Sequence, residues 1–110
     1  MELRTREERG YTVIAADGRV DTVTAPKFES YCVAAVDAGA RKVVLDFSRV
    51  VYVSSAGLSS VLAVAKYAGR AGGTFAISGL SGMVKEIFAV SGFDAIVPVR
   101  ADLEDAMASV

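Results

Sequence analysis

Apolar and polar residues alternate with two different periods along the chain, and this alternation predicts the secondary structure. Short apolar runs, and stretches in which every second residue is apolar, predict strands at residues 3–8, 11–16, 43–47, 74–78 and 96–97, with residues 50–53 extending or following the third. Apolar residues three and four positions apart predict four helices between and after these strands. The order is ββαβαβαβα, which predicts a largely parallel sheet connected by crossover helices.

Each predicted helix has one apolar face that we expect to lie in the core. Thr24, Ser81 and Asp102 are the candidate N-caps of the first, third and fourth helices, and Pro26 fits the first turn of the first helix. The apolar faces comprise Phe28, Tyr31, Cys32, Ala35 and Val36, then Leu58, Val61, Leu62 and Ala65, then Val84, Ile87 and Phe88, and finally Leu103, Ala106, Met107 and Val110.

Composition narrows the class of protein. The 110 residues are 53% hydrophobic and include 12 Lys+Arg against 13 Asp+Glu, which favours one globular domain and argues against a nucleic-acid binder. No apolar run approaches the ~20 residues of a membrane span, and the first ten residues do not resemble a signal peptide. A single cysteine, Cys32, favours a reducing compartment, and we therefore expect a cytoplasmic protein. Cys32 lies on an apolar helix face, so core packing is favoured over a reactive thiol.

The chain contains no histidine, which excludes Ser-His-Asp and Cys-His catalysis. Polar side chains are concentrated in two turns at strand ends, residues 18–24, after a turn predicted at Asp17-Gly18, and residues 53–58. In the second turn, Ser54 or Ser55 can cap the following helix. A serine hydroxyl here is also a candidate phosphoacceptor, because a phosphoryl group would meet free N–H groups and the positive end of the helix dipole. A serine that acts as a catalytic nucleophile is much less favoured, because no histidine can deprotonate it and Lys66, the other candidate base, is three turns away.

Other polar residues have structural explanations. Asp21 is typical of a turn aspartate that accepts a hydrogen bond from nearby backbone, such as the Thr24 N–H. Thr22 fits a turn residue, and the Gly72-Gly73 pair lacks the following Lys-Ser/Thr of a phosphate-binding loop. Asp46, at a strand end, lacks the further acids that a receiver domain needs to hold a metal, and we therefore predict no metal site.

The run LDFSRVVYVSSAGL at residues 45–58 resembles the signature of the STAS domain, specifically that of bacterial anti-sigma factor antagonists. The resemblance covers essentially the whole chain and includes the GRVD turn at residues 18–21, the AGG turn at 71–73 and FAVSGF at 88–93. It implies a single STAS domain over residues 1–110. The implied fold is α/β, with a four- to five-stranded mixed sheet flanked by about four α-helices.

The same resemblance implies a covalent switch at Ser55. Many relatives have an aspartate at the position of Ser54. This chain therefore has a second hydroxyl beside Ser55, and Ser54 is the alternative acceptor. The dephosphorylated form would bind an anti-sigma factor of the ATP-binding serine-kinase type and release a sigma factor, and a metal-dependent serine phosphatase would restore it. Asp21 is implied to lie near Ser55 and to contact the partner or orient the hydroxyl. The implied partner-binding residues are Asp21, Thr22, Ser54, Ser55, Ala56, Gly57, Leu58 and Ser59. The domain would perform no catalysis, hold no cofactor and exist as a monomer or weak homodimer.

Two alternatives remain open. The same surface could serve in a scaffold subunit of a larger signalling or lipid-transport assembly without phosphorylation. The same turns could instead bind a small molecule or nucleotide in a sensor domain.

Overall fold

A computed structural model describes all 110 residues, Met1–Val110. The strands are β1 (Glu2–Glu8), β2 (Tyr11–Val20), β3 (Lys42–Val53), β4 (Thr74–Ser78) and β5 (Val99–Arg100). The helices are α1 (Ala25–Asp37), α2 (Ser55–Arg70), α3 (Gly82–Val90) and α4 (Leu103–Ser109), with a short 3-10 helix at Phe93–Ala95.

The five strands form one sheet in the order β1-β2-β3-β4-β5. The first two strands pair antiparallel through a tight hairpin, and the other neighbouring pairs are parallel. The hairpin turn has positive φ at both Arg9 and Gly10, as a two-residue type I′ turn requires. The predicted element order and the mixed α/β fold are confirmed.

The two faces of the sheet are covered unequally. Val43, Leu45 and Phe47 of β3 pack against α1, α2 and α3 in a cluster of 20 buried residues. Val44, on the opposite face, joins a cluster of only 4 buried residues, which includes Met107 of α4. Alternation along β3 therefore produces a large core on one side and a small one on the other.

The turn predicted at Asp17-Gly18 is wrong, because β2 continues to Val20. Pairing with the second half of β3 holds these residues in the sheet, with Gly18 opposite Val50 and Val20 opposite Val53. Irregularities in register on either side of Gly18 accommodate the glycine within the strand. Here strand pairing overrides the local turn preference.

The edge strand predicted at residues 96–97 is also displaced. The 3-10 helix at Phe93–Ala95 leaves Ile96 61% exposed, and Val97 is buried outside any strand. The Pro98 carbonyl accepts a hydrogen bond from the Ile77 N–H at 2.9 Å, and regular pairing with β4 occurs only at Val99–Arg100.

The apolar face predicted for α2 is rotated in the structure. Leu58 and Val61 are buried as expected, but Leu62 is only half-buried at the margin of the core, whereas Val64 is fully buried. The cause is α1, which packs along α2 and buries the side of α2 that carries Ser60. The Ser60 hydroxyl donates to the Ala25 carbonyl at 3.3 Å across this contact.

Helix starts agree with the predicted positions but not always with the predicted bonds. Asp102 caps α4 through its carboxylate, which accepts from the Asp105 N–H at 2.9 Å. Thr24 and Ser81 occupy the N-cap positions of α1 and α3, yet neither side chain accepts a capping hydrogen bond. Thr24 is engaged instead in the loop before α1.

Candidate functional site

The candidate site lies where β2 and β3 end and α2 begins. These two parallel strands are neighbours and end side by side at Val20 and Val53. The Ser54 N–H donates to the Val20 carbonyl oxygen at 3.0 Å. Asp21 and Ser55 each follow one partner of this bond, so the two polar turns singled out from the sequence meet at one edge of the sheet.

The two adjacent serines have different environments. Ser54 is the N-cap of α2, with an extended backbone at ψ 176°, and its hydroxyl oxygen accepts from the Gly57 N–H at 3.2 Å. Ser55 is the first residue of the helix, and its side chain is exposed and forms no hydrogen bond within the protein. Capping therefore engages Ser54 and leaves the Ser55 hydroxyl free.

Asp21 organises the loop between β2 and α1. Its carboxylate accepts from the backbone N–H groups of Val23 at 3.0 Å and Thr24 at 3.1 Å, as predicted for a turn aspartate. The Thr24 hydroxyl accepts from the Asp21 N–H at 2.9 Å and donates to the Arg19 carbonyl at 2.6 Å. These bonds close the loop on itself and explain why Thr24 does not cap α1.

The carboxylate of Asp21 is held in its charged form. The hydrogen bond from the Thr24 N–H is the largest cause that lowers the pKa of Asp21 below its ordinary value, with Arg19 and Val23 contributing and partial burial opposing. The Arg19 guanidinium lies 3.3 Å from this carboxylate and 4.4 Å above the centre of the Tyr52 ring. Sequence reasoning did not assign Arg19 a role, although Arg19 lies in the GRVD turn, two residues before Asp21.

The remaining predicted partner-binding residues divide by exposure. Thr22 and Ser59 are exposed and, with the half-buried Ala56, line a shallow groove between α1 and α2. Gly57 and Leu58 are buried, with Leu58 only 8% exposed. Their side of the first turn of α2 faces the protein interior. Gly57 and Leu58 therefore contribute to packing and are not accessible to a partner.

The site brings together hydroxyls, backbone N–H groups and one carboxylate–guanidinium pair. No group of three or more His, Cys, Asp or Glu side chains is arranged to hold a metal ion. None of the helices has the length and apolar character needed to cross a membrane. The arrangement can present a hydroxyl to another protein at the start of a helix.

Comparisons with known proteins agree with this geometry. A family model described as the STAS domain matches residues 2–106. The chain is 38% identical over 109 residues to BtrV of Bordetella bronchiseptica, whose name describes it as a candidate anti-sigma factor antagonist, and the match covers 99% of this chain and 94% of that protein.

Solved structures show the same architecture. An anti-sigma factor antagonist from Mycobacterium paratuberculosis is 27% identical, with a TM-score of 0.90 over 99% of this chain and 92% of that chain. An anti-sigma factor antagonist (STAS) domain protein from Planctomyces limnophilus is 24% identical, with a TM-score of 0.85 over 97% of this chain and 96% of that chain.

Proposed function

The chain belongs to the STAS domain family, and on this basis we propose that it is an anti-sigma factor antagonist switched by phosphorylation of Ser55. Anti-sigma factor antagonists are regulatory proteins, not enzymes. The dephosphorylated form binds an anti-sigma factor of the ATP-binding serine-kinase type, and that binding releases a sigma factor. We treat residues 1–110 as one STAS domain acting in the cytoplasm as a monomer or weak homodimer.

One observation carries the choice of acceptor: the Ser54 hydroxyl is occupied as the cap of α2 at 3.2 Å from the Gly57 nitrogen, whereas Ser55 is exposed and unbonded. A kinase can reach the Ser55 hydroxyl without disturbing the cap. Modifying Ser54 would disturb the side-chain cap of the first turn of α2. The geometry therefore favours Ser55 over the alternative acceptor Ser54.

The transfer itself requires little of this domain. The Ser55 hydroxyl oxygen forms the new bond to the γ-phosphorus of ATP bound by the partner, the bridging bond to ADP breaks, and the hydroxyl proton passes to a base of the kinase. ATP and magnesium belong to that partner. A metal-dependent serine phosphatase hydrolyses the phosphoserine and restores the binding form.

The phosphoryl group changes the charge of the edge that the partner contacts. It adds roughly −1.5 to −2 charges at pH 7, next in space to the loop that carries the ionised Asp21. The N-terminus of α2 stabilises this anion by only about 0.3–1 kcal/mol, so the fold persists. Burying the added charge in an interface costs several times more, which weakens the complex.

Phosphosite mapping tests the proposal. The protein is incubated with ATP and a cognate kinase-type anti-sigma factor, and phosphopeptides are identified by mass spectrometry. We expect one phosphate on Ser55 in the unaltered chain and in Ser54→Ala, and none in Ser55→Ala. Phosphate found only on Ser54, or on neither serine, would contradict the switch and favour the non-phosphorylated scaffold subunit.

A further inference from the structure

We propose that the sheet face opposite α1, α2 and α3 carries a second site, which binds a small phosphomonoester that also bears hydroxyl or amino groups. This face is covered mainly over β3, β4 and β5, where α4 packs. The remainder, over β1, β2 and the adjoining part of β3, contains a depression of about 350 Å³. The depression shares no residue with the loop at residues 21–24 or with α2.

Strand register explains why a depression forms. Arg4 of β1 lies opposite Ala15 of β2, and Ala15 lies opposite Asp46 of β3. The three side chains therefore form one row across the sheet, with the small Ala15 between two larger charged side chains. Val13 lies two residues from Ala15 on the same face, opposite Arg6, and together Val13 and Ala15 provide an apolar floor.

The walls of the depression are basic. Arg4, Arg6 and Arg49 line it against a single carboxylate, that of Asp46, whereas the chain as a whole has a net charge of −1. Among the side chains that line the depression, positive charge exceeds negative charge, while Glu8 and Asp17 border it as partners of Arg6 and Arg49. The excess among the lining residues favours the binding of an anion.

The arginines are available to a ligand. Arg4 forms no ion pair or side-chain hydrogen bond, and Arg49 approaches Asp17 only to 3.8 Å, with the two side chains 71% and 45% exposed. Arg6 pairs with Glu8 at 3.1 Å, with side chains 51% and 37% exposed. Exposed pairs of this kind contribute little to stability, so an anionic ligand can replace the carboxylates as the partner of these arginines.

The lining indicates the class of ligand. Planar guanidinium groups match phosphate oxygens with paired hydrogen bonds. Asp46 Oδ1 accepts from the Ser48 N–H at 3.0 Å, which leaves Oδ2 and the Ser48 hydroxyl to bind a donor on the ligand. The Asp46 carboxylate repels an anion without such a donor. The volume lies at the small end of the range for ligand cavities, roughly 300–1,000 Å³, which fits a sugar or polyol phosphate.

Amide chemical-shift titrations test this site. The probes are glucose 6-phosphate and glycerol 3-phosphate, with glucose and inorganic phosphate as comparisons at matched ionic strength. We expect at least one phosphomonoester to cause saturable shifts at the amides of Arg4, Ala15 and Asp46, and to bind more tightly than either comparison compound.

Paired variants distinguish a specific binding site from general electrostatic attraction of the ligand to the protein. Arg4→Gln is expected to weaken binding at least fivefold, whereas Arg70→Gln, an exposed arginine at the end of α2, leaves it unchanged. Non-saturable shifts with both phosphomonoesters, equal binding of inorganic phosphate, or equal loss in the two variants would overturn the proposal. None of these results bears on Ser55.

Discussion

The Ser54 N–H and the Val20 carbonyl oxygen are joined by a hydrogen bond of 3.0 Å that fixes the start of α2 to the end of β2. The bond fixes the relative position of two segments that are more than 30 residues apart in sequence. Ser55 follows one partner and Asp21 follows the other. The exposed hydroxyl and the ionised carboxylate are therefore held on the same edge by the backbone, without a hydrogen bond between their side chains.

The same contact makes Gly57 sensitive to substitution. A Cβ at this position would lie 2.2 Å from the Val20 carbonyl oxygen, so Gly57→Ala cannot be accommodated unless α2 shifts away from β2. We expect a loss of unfolding free energy of about 1–3 kcal/mol, as for overpacked cores. Denaturant titration measures this loss.

Gly69 provides the matched control, because it lies in the same helix and an added Cβ would meet nothing within 4 Å. Gly69→Ala is expected to stabilise the protein by about 0.4–1 kcal/mol through helix propensity and reduced unfolded-state entropy. Equal stability of the two variants would contradict the close packing of α2 on Val20.

Acid should remove the stabilisation that Asp21 provides. Its pKa is lower in the folded state than in the unfolded chain, so the unfolded state binds the proton more readily. The stabilisation is complete above the unfolded-state pKa, roughly 3.9, and is lost as the pH falls through the folded-state value. The difference in melting temperature between the unaltered chain and Asp21→Ala should shrink on acidification from pH 6 to pH 2. A difference that stays constant would contradict the ionised, hydrogen-bonded state of this carboxylate.

Sequence periodicity predicts most of this fold because apolar spacing directly reports which faces are buried. It fails where distant strands decide the outcome. The Asp17-Gly18 pair has the composition of a turn, but pairing with Val50 keeps the chain extended. The spacing of apolar residues in α2 also could not reveal that α1 shares its inner side, which brings Val64 inward and leaves Leu62 at the margin.

These burial differences predict the order of stability losses in α2. Val64 is completely buried, so Val64→Ala should cost about 1.5–3 kcal/mol of unfolding free energy. Leu62 is half-buried, and Leu62→Ala should cost less than Val64→Ala even though it removes more atoms. Chemical denaturation of both variants gives the order, and the reverse order would contradict the rotated face of α2.

Cys32 should be inert in the folded protein. Its side chain is fully buried in the main core, and burial raises its pKa to about 12. Very little thiolate therefore exists at pH 8, and reagents cannot reach the sulfur. Thiol labelling should be negligible in native buffer and complete in denaturant. Rapid labelling of the native protein would contradict the packing of α1 on the sheet.

The candidate site could be located from the sequence, but the separate roles of its residues could not be predicted. The polar turns at residues 18–24 and 53–58 contain both Asp21 and the serines, and resemblance to the family indicated their proximity. The choice between Ser54 and Ser55 depends on which residue has extended backbone at the N-cap, a difference of one position that periodicity does not resolve. The contact of Arg19 with Tyr52 depends on strand register, which the sequence does not state.

The central claim is that negative charge at Ser55 weakens binding to the anti-sigma factor while the fold persists. Three variants isolate this effect: Ser55→Ala removes the acceptor, Ser55→Asp adds a charge there, and Ser91→Asp adds the same charge just after α3. Ser91 is exposed and directly follows α3, outside both polar turns of the candidate site.

Calorimetric titration of a cognate kinase-type anti-sigma factor with each variant measures the effect most directly. Ser55→Ala and Ser91→Asp should bind within about twofold of the unaltered chain, and Ser55→Asp should bind at least tenfold more weakly, or about 1.4 kcal/mol. Folding of all three is checked by thermal unfolding. Binding of Ser55→Asp as tight as that of Ser55→Ala, with both folded, would contradict the phosphorylation switch.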